Sequence, residues 1–155
     1  MTAVRIFTPE NRLAKVVQSL HGETFDDLVV AADSRVESLA DGIRRYVGEK
    51  VGEIETIHRQ GEVAVFGECL SISATAMNIA EVAAAAKRDA IGDVARGICE
   101  MVDGLVSSGV WHSDALELHL TALTLLNGER APDKEEASRI VARLSDMREA
   151  IGAAR

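Results

Sequence analysis

The sequence predicts an all-α protein, an antiparallel four-helix bundle with additional N- and C-terminal helices. Aromatic residues make up only 3% of the 155 residues, so the core has to be built from aliphatic side chains, which suit close helix packing. The two prolines lie near the ends, at Pro9 and Pro132, and the long stretch between them lacks the strongest helix breaker. Within that stretch, apolar residues recur at helical spacing.

Residues 1–22 are predicted to form a separate N-terminal arm. Thr8, Pro9 and Glu10 supply an N-cap, a first-turn proline and an early acid, which is typical of the start of a short helix. Gly22 is expected to end this arm.

The next helix is predicted over residues 24–58, because its apolar residues alternate at gaps of three and four. We expect this helix to be bent or interrupted near Gly48 or Gly52. The first part of its stripe consists of Val29, Ala32, Val36, Leu39, Ile43 and Tyr46.

A third helix is predicted over residues 62–87, where small residues allow a neighbouring helix to approach closely. The alternative is a break around residues 71–75 that leaves two shorter helices. A fourth helix is predicted over residues 90–106, and the Ser-Ser-Gly sequence at 107–109 ends it.

The fifth helix, over residues 114–127, is apolar nearly all round. Such a helix is usually buried centrally or forms half of a subunit interface. Ser113 is predicted to be its N-cap, and Gly128 follows its end. Asp133 is expected to cap a last helix over residues 134–152.

These elements give three regions: the arm at 1–22, a helical bundle at 23–128 and a C-terminal helix at 129–155. The long second helix and the apolar fifth helix suggest a homodimer.

Composition excludes several classes of partner. The net charge of -8 and the pI of about 5.0 argue against nucleic-acid binding, which needs a basic stripe. No apolar run is long enough to span a bilayer, so no membrane partner is expected. The first twenty residues lack the apolar core of a signal peptide, and we therefore expect a cytoplasmic protein.

No group of reactive side chains has the spacing of a known catalytic or metal site. The sequence contains no GxSxG, HExxH, Walker loop or GxGxxG. Cys69 and Cys99 form no CxxC and are expected to be small buried hydrophobes. His112 and His119 lie two helical turns apart without a third ligand, and His119 is expected to pack in the core. We predict no catalytic residue, no metal and no cofactor.

Three segments share a pattern of apolar and small residues that covers about a third of the chain. They resemble alphaproteobacterial phosphotransfer-type helical bundles and the chemotaxis accessory protein CheE. The segments are Ala76-Met77-Asn78-Ile79-Ala80-Glu81, Ile91-Gly92-Asp93-Val94-Ala95-Arg96-Gly97-Ile98-Cys99 and Leu118-His119-Leu120-Thr121-Ala122-Leu123.

The resemblance implies a histidine that accepts a phosphoryl group, with a Lys and a Gly beside it so that a partner can approach. In this sequence Met77 stands at the position of that histidine, Ala80 near that of the Lys and Glu81 near that of the Gly. A methionine cannot accept a phosphoryl group, and Glu81 adds negative charge where a phosphorylated aspartate would dock. The sequence therefore predicts a protein with the helical bundle of these phosphotransfer proteins but without their phosphoryl-transfer reaction.

We expect a non-catalytic adaptor or regulator that binds a response-regulator receiver domain or a histidine kinase. Its docking face is expected around Met77, Glu81 and Ala84, with Lys87 and Arg88 available to meet acids on a receiver. Two alternatives stay open: an active histidine phosphotransferase that uses a non-standard histidine, and a helical dimerisation module with unrelated partners.

Overall fold

The computed structural model describes residues 25–153, apart from the side chains of residues 25 and 36–38. All regular secondary structure within this part is α-helical, which confirms the predicted class. The predicted arm over residues 1–22 lies outside the described residues. The helices are α1 (Phe25–Arg59), α2 (Glu62–Gly67), α3 (Cys69–Ala85), α4 (Asp89–Ser108), α5 (Ser113–Asn127) and α6 (Lys134–Ala150).

The described residues divide into two units between residues 39 and 40. α1 contributes residues to both, and it runs through Gly48 and Gly52 without the interruption that the sequence allowed. Acidic residues occupy its first turn and His58 and Arg59 its last turn, so both ends complement the helix dipole.

The helix predicted over residues 62–87 is two helices, with Glu68 between them at φ -110° and ψ 15°. The alternative break at 71–75 is wrong, because those residues lie inside α3 and bury Ile72 completely. The break falls next to Gly67, since a glycine inside a helix costs about 1 kcal/mol relative to alanine. Glu68 N–H still donates to the Ala64 carbonyl at 2.9 Å, so the two helices follow one another closely.

The helix ends agree with the sequence at Gly109, Gly128 and Asp133 and differ at Ser113. Asp133 caps α6 by accepting a hydrogen bond from Glu136 N–H at 2.8 Å. Gly109 ends α4 in the left-handed conformation, at φ 70°. The prediction that Ser113 is the N-cap of α5 is wrong: His112 holds that position, and the Ser113 hydroxyl donates instead to Glu62 at 3.0 Å.

In the unit formed by residues 40–155, α4 packs against α3, α5 and α6, while α5 also packs against α6 and α2 against α3. The core is aliphatic, as the low aromatic content requires, and each fully buried large side chain contributes about 2 kcal/mol of transfer free energy. Its largest members with essentially no exposed surface are Ile54, Ile72, Ile79, Ile98, Met101, Leu116 and Leu123.

Candidate partner-binding face

One side of α3 is open to solvent although it is almost uncharged. Over the seventeen residues from Cys69 to Ala85, Glu81 is the single charged side chain. Ile72, Ala76 and Ile79 face the core, as their helical spacing predicts. The exposed residues of α3 are Leu70, Ser71, Ala74, Met77, Asn78, Glu81, Ala84 and Ala85.

The residues that the sequence placed on a docking face divide into two groups. Met77, with 44% of its surface exposed, and Glu81 and Ala84 lie on the open side of α3. Lys87 is also exposed, directly after the helix, and adopts a left-handed backbone with φ 56°. Arg88 N–H donates to the Ala83 carbonyl at 2.9 Å, which closes this helix end in the manner of a Schellman turn.

Arg88 has an internal role. Its guanidinium donates to Asn127 Oδ1 at 2.9 Å and to the Leu126 carbonyl at 3.1 Å, so it satisfies the C-terminal end of α5. Asn127 in turn donates to the Arg44 carbonyl at 2.8 Å, which ties α1 to the same junction. Burial lowers the pKa of Arg88, and the nearby charge of Arg44 lowers it further. The open face therefore consists of the α3 residues and Lys87.

α2 carries a second group of exposed apolar side chains that the sequence reading missed. Val63 is 87% exposed, Phe66 45% and, at the start of α3, Leu70 73%. Val63 and Phe66 are three residues apart on α2, the spacing at which side chains share one side of a helix, and Leu70 follows in the first turn of α3. A signal was present in the sequence, because Val63, Leu70 and Met77 follow one another at intervals of seven residues. We call the residues Val63, Phe66, Leu70, Ala74, Met77, Glu81 and Ala84 the α2–α3 strip.

A hydrogen-bonded chain fixes α2 against the start of α5. Trp111 Nε1–H donates to the Ser113 hydroxyl at 3.2 Å, and that hydroxyl donates to Glu62 Oε1 at 3.0 Å. The ring of Phe66 meets the ring of Trp111 edge to face, with 6.3 Å between centroids. The exposed residues of α2 are therefore held on a positioned helix.

The buried histidine predicted by the sequence is confirmed at His119, which has no exposed surface. Its Nδ1 lies 2.7 Å from the Ala115 carbonyl and donates to it, because a carbonyl can only accept, so a proton sits on Nδ1. Nε2 then accepts from Arg148 at 3.0 Å. Arg148, itself buried, also donates through Nε to Glu100 at 2.9 Å.

The sequence did not predict this polar cluster at α4, α5 and α6, because Arg148 is one of many charged residues on the last helix. Burial is the main cause that lowers the pKa of His119, and the Arg148 charge adds to it. Gly97 of α4 makes room for the cluster: a Cβ there would lie 2.8 Å from His119 Nε2. The three polar residues stabilise the packing of α6, and each has its partners within the protein.

The remaining reactive groups lie apart. Cys99 is buried, and burial raises the pKa of its thiol, while Cys69 is half-buried and also unpaired by a disulfide. His112 is exposed at the start of α5, and His58 keeps a buried Nδ1 without a hydrogen-bond partner. Within residues 25–153, no three His, Cys, Asp or Glu side chains are grouped as metal ligands.

Among the described helices, none combines the length and the apolar character that crossing a bilayer requires. Comparison of the chain with protein-family models, with curated proteins and with solved structures finds no match in any of the three. The geometry of the α2–α3 strip is therefore the basis for a functional proposal.

Proposed function

We propose that this protein is a non-catalytic adaptor that binds another protein through the open side of α3. One observation carries the proposal: Glu81 is the single charged residue of α3, yet the apolar side chains of Leu70 and Met77 on one side are exposed. Exposed apolar side chains grouped on one side of a helix commonly mark a protein interaction site.

The proposed partner is a response-regulator receiver domain or a histidine kinase of a bacterial chemotaxis or two-component pathway. The resemblance of the three segments from residue 76 to residue 123 to phosphotransfer-type bundles supports this choice. The same resemblance supports a four-helix bundle made of α3, α4, α5 and the later part of α1, whose Val47 and Ile54 have no exposed surface. Such a partner acts in the cytoplasm, which agrees with the sequence expectation.

A role without phosphate exchange is supported by the surroundings of Met77 and His119. Met77 has no atom that can be phosphorylated, and Glu81, one helical turn later, places a carboxylate beside it. His119 is fully buried, with both ring nitrogens hydrogen-bonded, so a phosphoryl donor cannot reach it in the folded protein.

A phosphate-transfer experiment separates the adaptor from an active phosphotransferase. The protein is incubated with a phosphorylated kinase and with each receiver domain encoded near its gene, and both binding and label are followed. The adaptor is expected to co-elute with a receiver and to remain unlabelled. An acid-labile, alkali-stable label on the protein would instead show a phosphohistidine, and His112 and His58 would be the first to test by mutation to Gln.

The alternative function is a dimerisation module with unrelated partners. Exposed leucines on α5 favour it, since Leu118 is 51% and Leu125 48% exposed, and the two lie seven residues apart on one side of the helix. Sedimentation equilibrium decides between the two: a dimer that Leu118→Asp dissociates, with no receiver bound, would support the module.

A further inference from the structure

The charges along α2 and α3 are all of one sign. From Glu62 to Ala86 the sequence contains three acidic residues, Glu62, Glu68 and Glu81, and no Lys or Arg. All three acids are exposed. The apolar side chains of the α2–α3 strip are therefore accompanied by negative charge alone over two successive helices, and positive charge returns only at Lys87.

We propose that the α2–α3 strip binds a cationic amphipathic helix of its partner, one that has an apolar stripe flanked by Lys or Arg. This inference rests on the proposed function and adds the chemistry of the partner surface. Helix-in-groove recognition uses apolar anchors at helical spacing for affinity, and complementary charge around them selects the partner.

The same charge pattern argues against a second copy of this chain as the occupant. Two α2–α3 strips in an isologous contact would bring acids against acids, with no base on either strip to compensate. The net charge of -8 adds a longer-range repulsion between copies. Both charges favour a basic partner. The acids of the strip attract it locally, and the net negative charge of the protein raises its association rate.

A synthetic pair of peptides tests the proposal. The probe is an 18-residue amphipathic helix with a Leu stripe flanked by Lys, labelled with a fluorophore, and the control peptide has Glu in place of every Lys. We expect the Lys peptide to bind the full-length protein in fluorescence anisotropy, with an affinity that falls as salt rises. The Glu peptide is expected to show no binding. Absence of binding by the Lys peptide would overturn the proposal.

Matched variants separate local recognition from general attraction to an acidic protein. The strip variant combines Glu62→Gln, Glu68→Gln and Glu81→Gln, which keeps the hydrogen-bond acceptor that Ser113 uses. The control variant combines Glu117→Gln, Glu129→Gln and Glu149→Gln, three exposed acids elsewhere, so both lose the same charge. We expect at least tenfold weaker binding for the strip variant and less than threefold for the control. Equal weakening by both would refute the inference.

Met77→Asp distinguishes a failure of this inference from a failure of the proposed function. If Met77→Asp weakens peptide binding while the strip variant binds like wild type, the α3 face docks a partner but charge does not select it. If Met77→Asp has no effect, both proposals fall. Sedimentation equilibrium of the protein alone tests the rival occupant, and a dimer dissociated by Met77→Asp would assign the strip to self-association and overturn the inference.

Discussion

Arg148 donates a hydrogen bond from Nη1 to Nε2 of His119 over 3.0 Å, with both side chains buried. The bond requires a neutral histidine, because a proton on Nε2 would face the guanidinium N–H. Glu100 holds the other edge of Arg148 and is half-exposed, so water screens it more than it screens the histidine. The three side chains join α4, α5 and α6 through two hydrogen bonds of the Arg148 guanidinium, one to Glu100 and one to His119.

Acid pH is therefore expected to destabilise the fold through His119. Burial lowers its pKa in the folded protein, while in the unfolded chain it titrates near the ordinary value of about 6.5. As the pH falls below about 6.5, the unfolded state takes up a proton that the folded state refuses, so the free energy of unfolding decreases until the folded-state pKa is passed. Above about 6.5 the histidine is neutral in both states and contributes no pH dependence.

Urea denaturation of wild type and His119→Gln at several pH values measures this contribution. Gln does not titrate, so the difference in unfolding free energy between the two proteins should shrink from pH 7.5 to pH 5, by at most about 1.4 kcal/mol per pH unit. Carboxylate titrations are common to both proteins and largely cancel in the difference. A difference that stays constant with pH would show that His119 protonates equally in the folded and unfolded states.

Gly97 and Gly52 are expected to respond to alanine with opposite signs. At Gly97 a Cβ would lie 2.8 Å from both Arg148 Cζ and His119 Nε2, so Gly97→Ala should destabilise the fold by about 2 kcal/mol. At Gly52 no atom lies within 4 Å of the added Cβ, and Gly52→Ala should stabilise the fold by up to about 1 kcal/mol. Thermal unfolding followed by circular dichroism measures both. The cluster geometry would be refuted by a neutral Gly97→Ala.

Lys87 holds a left-handed backbone at φ 56°, which side chains with a Cβ adopt at a cost. Lys87→Gly should therefore stabilise the protein by about 0.5 to 1 kcal/mol, whereas Lys87→Ala keeps the Cβ and should change stability little. Chemical denaturation compares the two variants. Equal stability of the glycine and alanine variants would contradict a left-handed residue at this position.

The sequence predicted the all-α class and most of the helix positions, because most helices have their own periodic stripe of apolar residues and their own residues that begin or end a helix. Gly109, Asp133 and the Asn127–Gly128 junction act through local backbone chemistry, and the structure places the helix ends beside them. Ser113 misled the prediction because its hydroxyl has a distant partner, Glu62, fifty-one residues earlier. A local cap pattern carries no information about such a contact.

The candidate face was predictable only in part, for a similar reason. Met77, Glu81 and Ala84 share one side of a helix by spacing alone, and the structure leaves that side open. The sequence also placed Arg88 on this face. Its hydrogen-bond acceptors belong to α5, nearly forty residues away, and only the tertiary structure reveals them. Arg148 is the same kind of case on α6: a charge on a polar helix that tertiary packing buries against His119.

Titration calorimetry with the receiver domains encoded near the gene tests the adaptor proposal most directly. Met77→Asp is compared with Leu125→Asp, which places the same charge on a similarly exposed apolar residue, 48% against 44%, outside the α2–α3 strip. We predict that wild type and Leu125→Asp bind one receiver with the same Kd and that Met77→Asp binds it at least tenfold more weakly, with an unchanged Tm. Wild-type affinity in Met77→Asp, or no binding of any receiver, would contradict the proposal.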